Sequence, residues 1–157
     1  MALFDKGKNK NYSESGEVKS FDQLDFASTE AYKLLRTNLQ FTLPDASKKC
    51  HVIGITSSSR GEGKSTTSIN LSSALAATEK KVLLIDGDLR LPTISKKLNI
   101  SVKTGLSDVL LDASELEMAI HAMEECENLH ILASGKIPPN PSELLGSSQM
   151  KVLLEKL

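Results

Sequence analysis

Tryptophan is absent from the 157-residue sequence, and only 4% of residues are aromatic. So few rings leave little on which single-stranded bases could stack. Neither sign of charge dominates: 19 Lys and Arg stand against 20 Asp and Glu, a net charge of −1. That balance gives no broad footprint for nucleic acid, and none is expected as a partner. The two cysteines, Cys50 and Cys126, lie far apart, which argues against a disulfide framework and suits a reducing compartment. Neither they nor His51, His121 and His130 show metal-ligand spacing, so all five read as ordinary strand-edge or surface residues. No secretory leader and no membrane-spanning run is visible, and the opening Met-Ala-Leu is not a myristoylation signal. The expected location is cytoplasmic. What is present, 39% apolar and 25% charged residues, describes one ordinary domain long enough to bury a core.

The most informative stretch is Ser57-Ser58-Ser59-Arg60-Gly61-Glu62-Gly63-Lys64-Ser65-Thr66. A short apolar run, Cys50 to Thr56, precedes it and reads as a strand buried in a parallel sheet. A Ser- and Ala-rich segment follows and reads as a helix from Lys64 to about Thr78. Strand, glycine-containing loop, Lys-Ser and helix form the layout of a phosphate-binding loop. In such a loop, successive N–H groups converge on one point and cradle an anion. Gly61 and Gly63 permit the turns, Lys64 would reach the β- and γ-phosphates, and the Ser65 hydroxyl would contact Mg²⁺. The strict pattern places Gly where Ser58 stands.

A second stretch, Val82-Leu83-Leu84-Ile85-Asp86-Gly87-Asp88-Leu89-Arg90, reads as a buried strand ending in two carboxylates and an arginine. Ligands in open parallel sheets gather at the carboxyl ends of strands, so Asp86 and Asp88 should sit beside the phosphate loop. Carboxylates there suit Mg²⁺, and one could accept a proton from an attacking hydroxyl.

The remainder is expected to build α/β layers. Residues 1–27 form a polar tail carrying Tyr12, with too few lysines for a membrane patch. A first helix begins near Ser28, its N-cap. Ala31, Leu34, Leu35 and Leu39 make its apolar face, with Glu30, Lys33 and Arg36 as a charged stripe on the other side. Pro44 ends that helix and residues 45–49 form a loop. Pro92 opens a short helix to Leu98, and Leu106 to Leu111 makes a helix or turn. Ser114 caps a helix running to Met123, with Glu117 at capping-box spacing. Leu129 to Ala133 forms a strand, Ile137 to Pro141 a stiff loop, and a last helix runs from Ser142 or Ser147 to Leu157.

Taken together, these motifs resemble the bacterial tyrosine kinases that regulate capsular and extracellular polysaccharide synthesis. The resemblance spans residues 28–157. Thr56 to Thr66 is similar to the family's Walker A loop, where Ser commonly replaces the first Gly and Pro often stands at the position of Arg60. Leu83 to Pro92 is similar to its second acidic motif. Gly105 to Leu110 and Pro138 to Leu145 also resemble family segments. Glu30-Ala31-Tyr32-Lys33-Leu34-Leu35-Arg36 is similar to the family's E-x-x-R-x-x-R oligomerisation helix, with Lys33 in place of the first Arg. Lysine keeps the charge and loses the bidentate fork, so assembly through Glu30, Lys33 and Arg36 is expected to be weaker.

The resemblance implies a P-loop NTPase-like α/β fold, mostly parallel, and transfer of phosphate from ATP to protein tyrosine. It implies ATP bound by Ser58, Ser59, Arg60, Gly61, Glu62, Gly63, Lys64, Ser65 and Thr66. It implies Mg²⁺ near Ser65, Asp88 or Asp86, and catalysis by Lys64, Asp86 and Asp88, with the division between the two aspartates open. Implied partners are protein tyrosine substrates, a membrane-embedded activator that holds the kinase at the inner face of the membrane, and further copies of the chain. Two family features are missing: an Asp-Thr-Pro-Pro strand end and a C-terminal tyrosine cluster. The sequence is therefore expected to be the N-terminal portion of a kinase domain, binding nucleotide weakly and not phosphorylating itself. Non-catalytic subunits and positioning ATPases are the alternative, although the latter favour Lys where Ser59 stands.

Overall fold

The computed structural model describes residues 23–43, 50–124 and 126–157. Tyr12, most of the expected tail and the 44–49 loop lie outside these residues. In chain order the elements are α1 (Phe26–Thr42), α2 (Lys64–Ala76), β1 (Val82–Ile85), α3 (Ile94–Lys97), α4 (Leu106–Leu111), α5 (Leu116–Ala119), β2 (Ile120–Met123), β3 (Cys126–Leu132), α6 (Pro141–Leu145) and α7 (Ser148–Lys156).

The α/β layering expected from the sequence is present, and the described sheet is small and mixed, in the order β1-β3-β2. β1 runs parallel to β3, with Val82 opposite Leu129 and Ile85 opposite Leu132. β2 runs antiparallel to β3, with an irregularity between Ala122 and Met123. Successive strand residues point to opposite faces, so the central strand feeds two cores at once. Leu129 and Ile131 pack with Ile69 and Ala76 of α2, Leu84 of β1 and Ile94 of α3. Leu132 packs with Leu106, Val109 and Leu110 of α4, Leu116 of α5 and Leu153 of α7. Ile131 and Leu132 are wholly buried, each stabilising the fold by about 1.5–3 kcal/mol. Ala76 packs in the core between α2 and the sheet, and Ala74 is wholly buried.

Several expectations are corrected. Residues 50–56 form no strand, and Val52 is 70% exposed. A strand exists by its ladder, and this apolar run pairs with none of the three described strands, although β1 and β2 each keep an open outer edge. Helix α1 begins one turn early because Asp25, not Ser28, is its cap: the Asp25 carboxylate accepts from Ser28 N at 2.9 Å and Ser28 Oγ at 2.8 Å. Its docking face also differs. Tyr32 and Arg36 turn toward α2, while Leu34 is 62% and Phe41 86% exposed.

The helix expected up to Met123 stops at Ala119. Ile120–Met123 join β3 instead, where a ladder outweighs local propensity. Before it, Ser114 lies inside a 3-10 turn, Ala113–Glu115, which Asp112 caps by accepting from Ser114 N at 3.0 Å. The short helix after Pro92 begins only at Ile94, behind Thr93. The last helix is two helices, broken at Gly146 and restarted by Ser147, whose hydroxyl accepts from Met150 N at 3.3 Å.

Candidate functional site

The loop from Ser57 to Gly63 enters α2 through two left-handed glycines, Gly61 at φ +79° and Gly63 at φ +90°. Cβ-bearing residues disfavour both conformations. The close space around Gly63 is open, the nearest atom to an added Cβ being Thr67 Oγ1 at 4.0 Å, so the constraint there is one of backbone rotation. Gly63 stands immediately before Lys64, and Thr67 N donates to Gly63 O at 2.8 Å. The first-turn amides of this 13-residue helix thus face the loop, and no acidic side chain occupies that turn.

Lys64 is folded back onto its own loop, with Nζ 3.0 Å from Ser57 Oγ and 3.4 Å from Ser59 O. Glu62 closes the opposite side. Its carboxylate accepts from Ser59 N at 3.1 Å and from Ser58 Oγ at 3.3 Å. The Ser59 N–H above all, with serine hydroxyls, holds its carboxyl below the ordinary carboxylate range.

The acidic stretch meets this loop from the sheet. Asp86 N donates to Leu132 O at 2.9 Å, pinning the residue just beyond the end of β1 to the central strand. Its side chain is 3% exposed. Asp86 Oδ1 accepts from Asp88 N at 3.1 Å, and Oδ2 from Ile94 N at 3.2 Å. Burial pushes this carboxyl above its usual range, against the pull of those N–H groups. Asp88 is exposed and accepts from Leu91 N at 3.0 Å and Arg90 N at 3.3 Å. Arg90 in turn donates to Ser142 Oγ at 2.7 Å, tying the acidic loop to α6.

Thr93 connects the two halves. Its hydroxyl lies 2.9 Å from Ser65 Oγ, while the next residue, Ile94, donates to Asp86. Two consecutive residues therefore hold Ser65 of the phosphate loop beside Asp86 of the acidic strand. Lys97 Nζ lies 3.5 Å from Thr66 Oγ1 on the same seam. Sequence reasoning missed Ser57, Thr93, Lys97 and Ser142. Thr93 stands just before α3 but makes no side-chain capping bond there, so its contact with Ser65 has no local signal in the sequence.

No group of three or more His, Cys, Asp or Glu among the described residues could hold a metal by itself. A site of one hydroxyl and one or two carboxylates fits Mg²⁺, which keeps most of its water and takes its other oxygens from phosphates. Ser65, Asp86 and Asp88 supply that donor set. Asp86 is the buried carboxylate whose charge a cation would compensate.

A family profile described as AAA domain matches residues 50–157. The chain belongs to the AAA-domain family. The tyrosine-protein kinase YwqD of Bacillus subtilis is 42% identical over 146 residues, covering 93% of this chain and 60% of the relative. The chimerical protein CapA2B2 superposes with a TM-score of 0.79 at 36% identity, over 92% of this chain and 62% of the other. The kinase domain of the Escherichia coli tyrosine kinase ETK superposes with a TM-score of 0.77 at 30% identity, over 96% of this chain and 56% of the other. The chain thus spans about three fifths of each of these three proteins. Membership implies nucleotide binding.

The three residues expected to mediate assembly are not equivalent. Glu30 and Lys33 form an exposed i,i+3 pair at 2.9 Å. Arg36 donates Nη1 to Ala74 O at 2.8 Å, a carbonyl in the last turn of α2. It satisfies a helix-end acceptor within its own chain. Among the described residues, no helix is long and apolar enough to cross a membrane.

Proposed function

We propose that this chain is the nucleotide-binding portion of a bacterial protein-tyrosine kinase, transferring the γ-phosphoryl group of ATP to protein tyrosine and regulating polysaccharide synthesis and export. The observation that carries the proposal is the seam through Thr93 and Ile94, which sets the Ser65 hydroxyl of a glycine-built anion cradle beside the buried carboxylate of Asp86. The family relationship supports the reading.

The loop amides from Ser58 to Thr66 take the β- and γ-phosphates. Lys64 leaves Ser57 and Ser59 O for these oxygens, a short swing, since both lie on the same loop. Ser65 with Asp86 or Asp88 would hold Mg²⁺, which would supply charge neutralisation at the phosphates. The tyrosine oxygen attacks the γ-phosphorus, the bond to the ADP oxygen breaks, and the phenolic proton passes to a carboxylate. The proton acceptor is one of the two carboxylates, Asp86 or Asp88, and Asp88 is the more accessible contact for the metal.

A membrane-embedded activator would complete the site and hold the kinase at the inner face of the membrane. The chain by itself binds nucleotide weakly and forms no phosphotyrosine. The test is a phosphotyrosine blot of the gene product carrying this sequence, with Mg-ATP and an activator tail, against the Lys64→Met variant. Phosphotyrosine lost with Lys64 supports the proposal. ATP hydrolysis without phosphotyrosine would place the protein among positioning ATPases.

A further inference from the structure

Among the described residues, Thr93 joins the phosphate loop to the acidic loop through a side-chain hydroxyl pair, and no step above uses it. We propose that Thr93 is a positioning residue for the metal contact of Ser65: its hydroxyl orients Ser65 Oγ so that a lone pair faces the cation beside the nucleotide phosphates. The inference rests on the nucleotide-binding reading of the loop.

A serine hydroxyl carries one proton and two lone pairs, and it rotates freely unless a partner fixes it. The Thr93 Oγ1 to Ser65 Oγ separation of 2.9 Å is a full hydrogen bond. Heavy-atom positions leave its direction open, and either hydroxyl can donate. When a cation sits on Ser65 Oγ, that oxygen gives up electron density and its proton becomes the better donor. Thr93 then accepts, and both Ser65 lone pairs are free to face the metal.

Thr93 is well placed for this duty because its own position is fixed twice. Lys97 N donates to Thr93 O at 2.9 Å, and the following amide, Ile94 N, is held by Asp86 at 3.2 Å. The side chain of Ile94 is buried in the core between sheet and α2. The hydroxyl is therefore presented from a rigid turn. Partners that orient a metal ligand in this way are commonly worth about 10- to 100-fold in metal affinity.

The experiment measures binding of a fluorescent ADP analogue to the chain, with Mg²⁺ and with EDTA, for wild type, Thr93→Val and Thr93→Ser. Valine keeps the shape and removes the hydroxyl. The expected result is an Mg²⁺-dependent gain in affinity reduced about tenfold in Thr93→Val, unchanged affinity in EDTA, and recovery in Thr93→Ser. An equal loss in Mg²⁺ and EDTA would mean that Thr93 only supports the fold, and an undiminished gain would mean that it does not act on the metal; either overturns the proposal. If Thr93→Val does not fold, Thr93→Ala is read by the same criteria. In a Ser65→Ala background Thr93→Val should have no further effect, and additive losses overturn the proposal. A wild-type chain that binds no probe overturns the nucleotide reading itself, whereas a binding chain with an unaltered Thr93→Val overturns only the role of Thr93.

Discussion

Replacing Gly105 with alanine should force two backbones apart. Gly105 has φ −149°, extended backbone that alanine adopts without strain, so any effect is steric. An added Cβ would lie 2.2 Å from Gly135 N, 2.5 Å from Ala133 O and 2.5 Å from Gly135 Cα. All three are main-chain atoms, with no flexible side chain to yield. The start of α4 must therefore move away from residues 133–135 by about 1 Å, an overpacking penalty of about 1–3 kcal/mol. That movement loosens Leu106 N to Ala133 O at 2.7 Å and Ser107 N to Ser134 O at 2.9 Å. Each is worth about 1 kcal/mol. Together the change should destabilise the protein by about 3–5 kcal/mol, a large share of the roughly 5–15 kcal/mol typical of a whole domain. In urea, with a slope near 2 kcal/mol per molar, the midpoint should drop by about 2 M. Gly54→Ala is the control: nothing lies within 4 Å of its added Cβ, and it should stay within about 0.5 kcal/mol of wild type. A Gly105→Ala midpoint equal to wild type, or an equal drop in Gly54→Ala, refutes the close-approach argument.

Two further outcomes follow from the same geometry. Asp86 holds its proton more tightly when folded than when unfolded, so the folded state binds more protons and stability falls as pH rises from 3.8 through the raised value. Urea midpoints in metal-free buffer should show that this component is missing in Asp86→Asn; an unchanged pH slope would contradict the burial argument. Arg36→Ala should cost about 1.5 kcal/mol in a dilute thermal melt, because it leaves the Ala74 carbonyl without its charged donor. Lys33→Ala, which breaks only an exposed pair, should change stability by less than about 0.5 kcal/mol.

The parts of the fold legible in the sequence are those with one strong local signal. Val82 to Ile85 is four apolar residues with no competing reading, and α2 is announced by Gly63-Lys64-Ser65 before a run of small residues. The segments that misled are those whose structure depends on a neighbour. Val52 to Ile55 has the composition of a buried strand, but composition cannot reveal whether a neighbouring strand pairs with it, and none of the three described strands does. Ile120 to Met123 is equally compatible with helix and strand until β3 offers its ladder. Along α1 the leucines suggested the inner face, yet Arg36 docks because α2 ends in carbonyls that need a donor. At the site, the loop and the two aspartates could be named from the sequence, whereas Thr93 could not, because its importance lies in reaching a residue distant along the chain.

The two pairings of β3 differ in how far the chain must travel to make them. β2 ends at Met123 and β3 begins at Cys126, so the antiparallel pair closes over a tight connection. The parallel pair must bring Val82 to Leu129 across α3, α4 and α5. Closing the longer loop carries the larger entropic penalty, and such non-local pairings govern how fast a chain folds. Asp86 lies at the end of β1 and is anchored to Leu132 only through this distant pairing. A chain that has made its hairpin alone has no acidic half of the phosphate site. Assembly of the site and completion of the sheet are thus one event in time, and a ligand that requires both halves binds only after the slowest contact has formed.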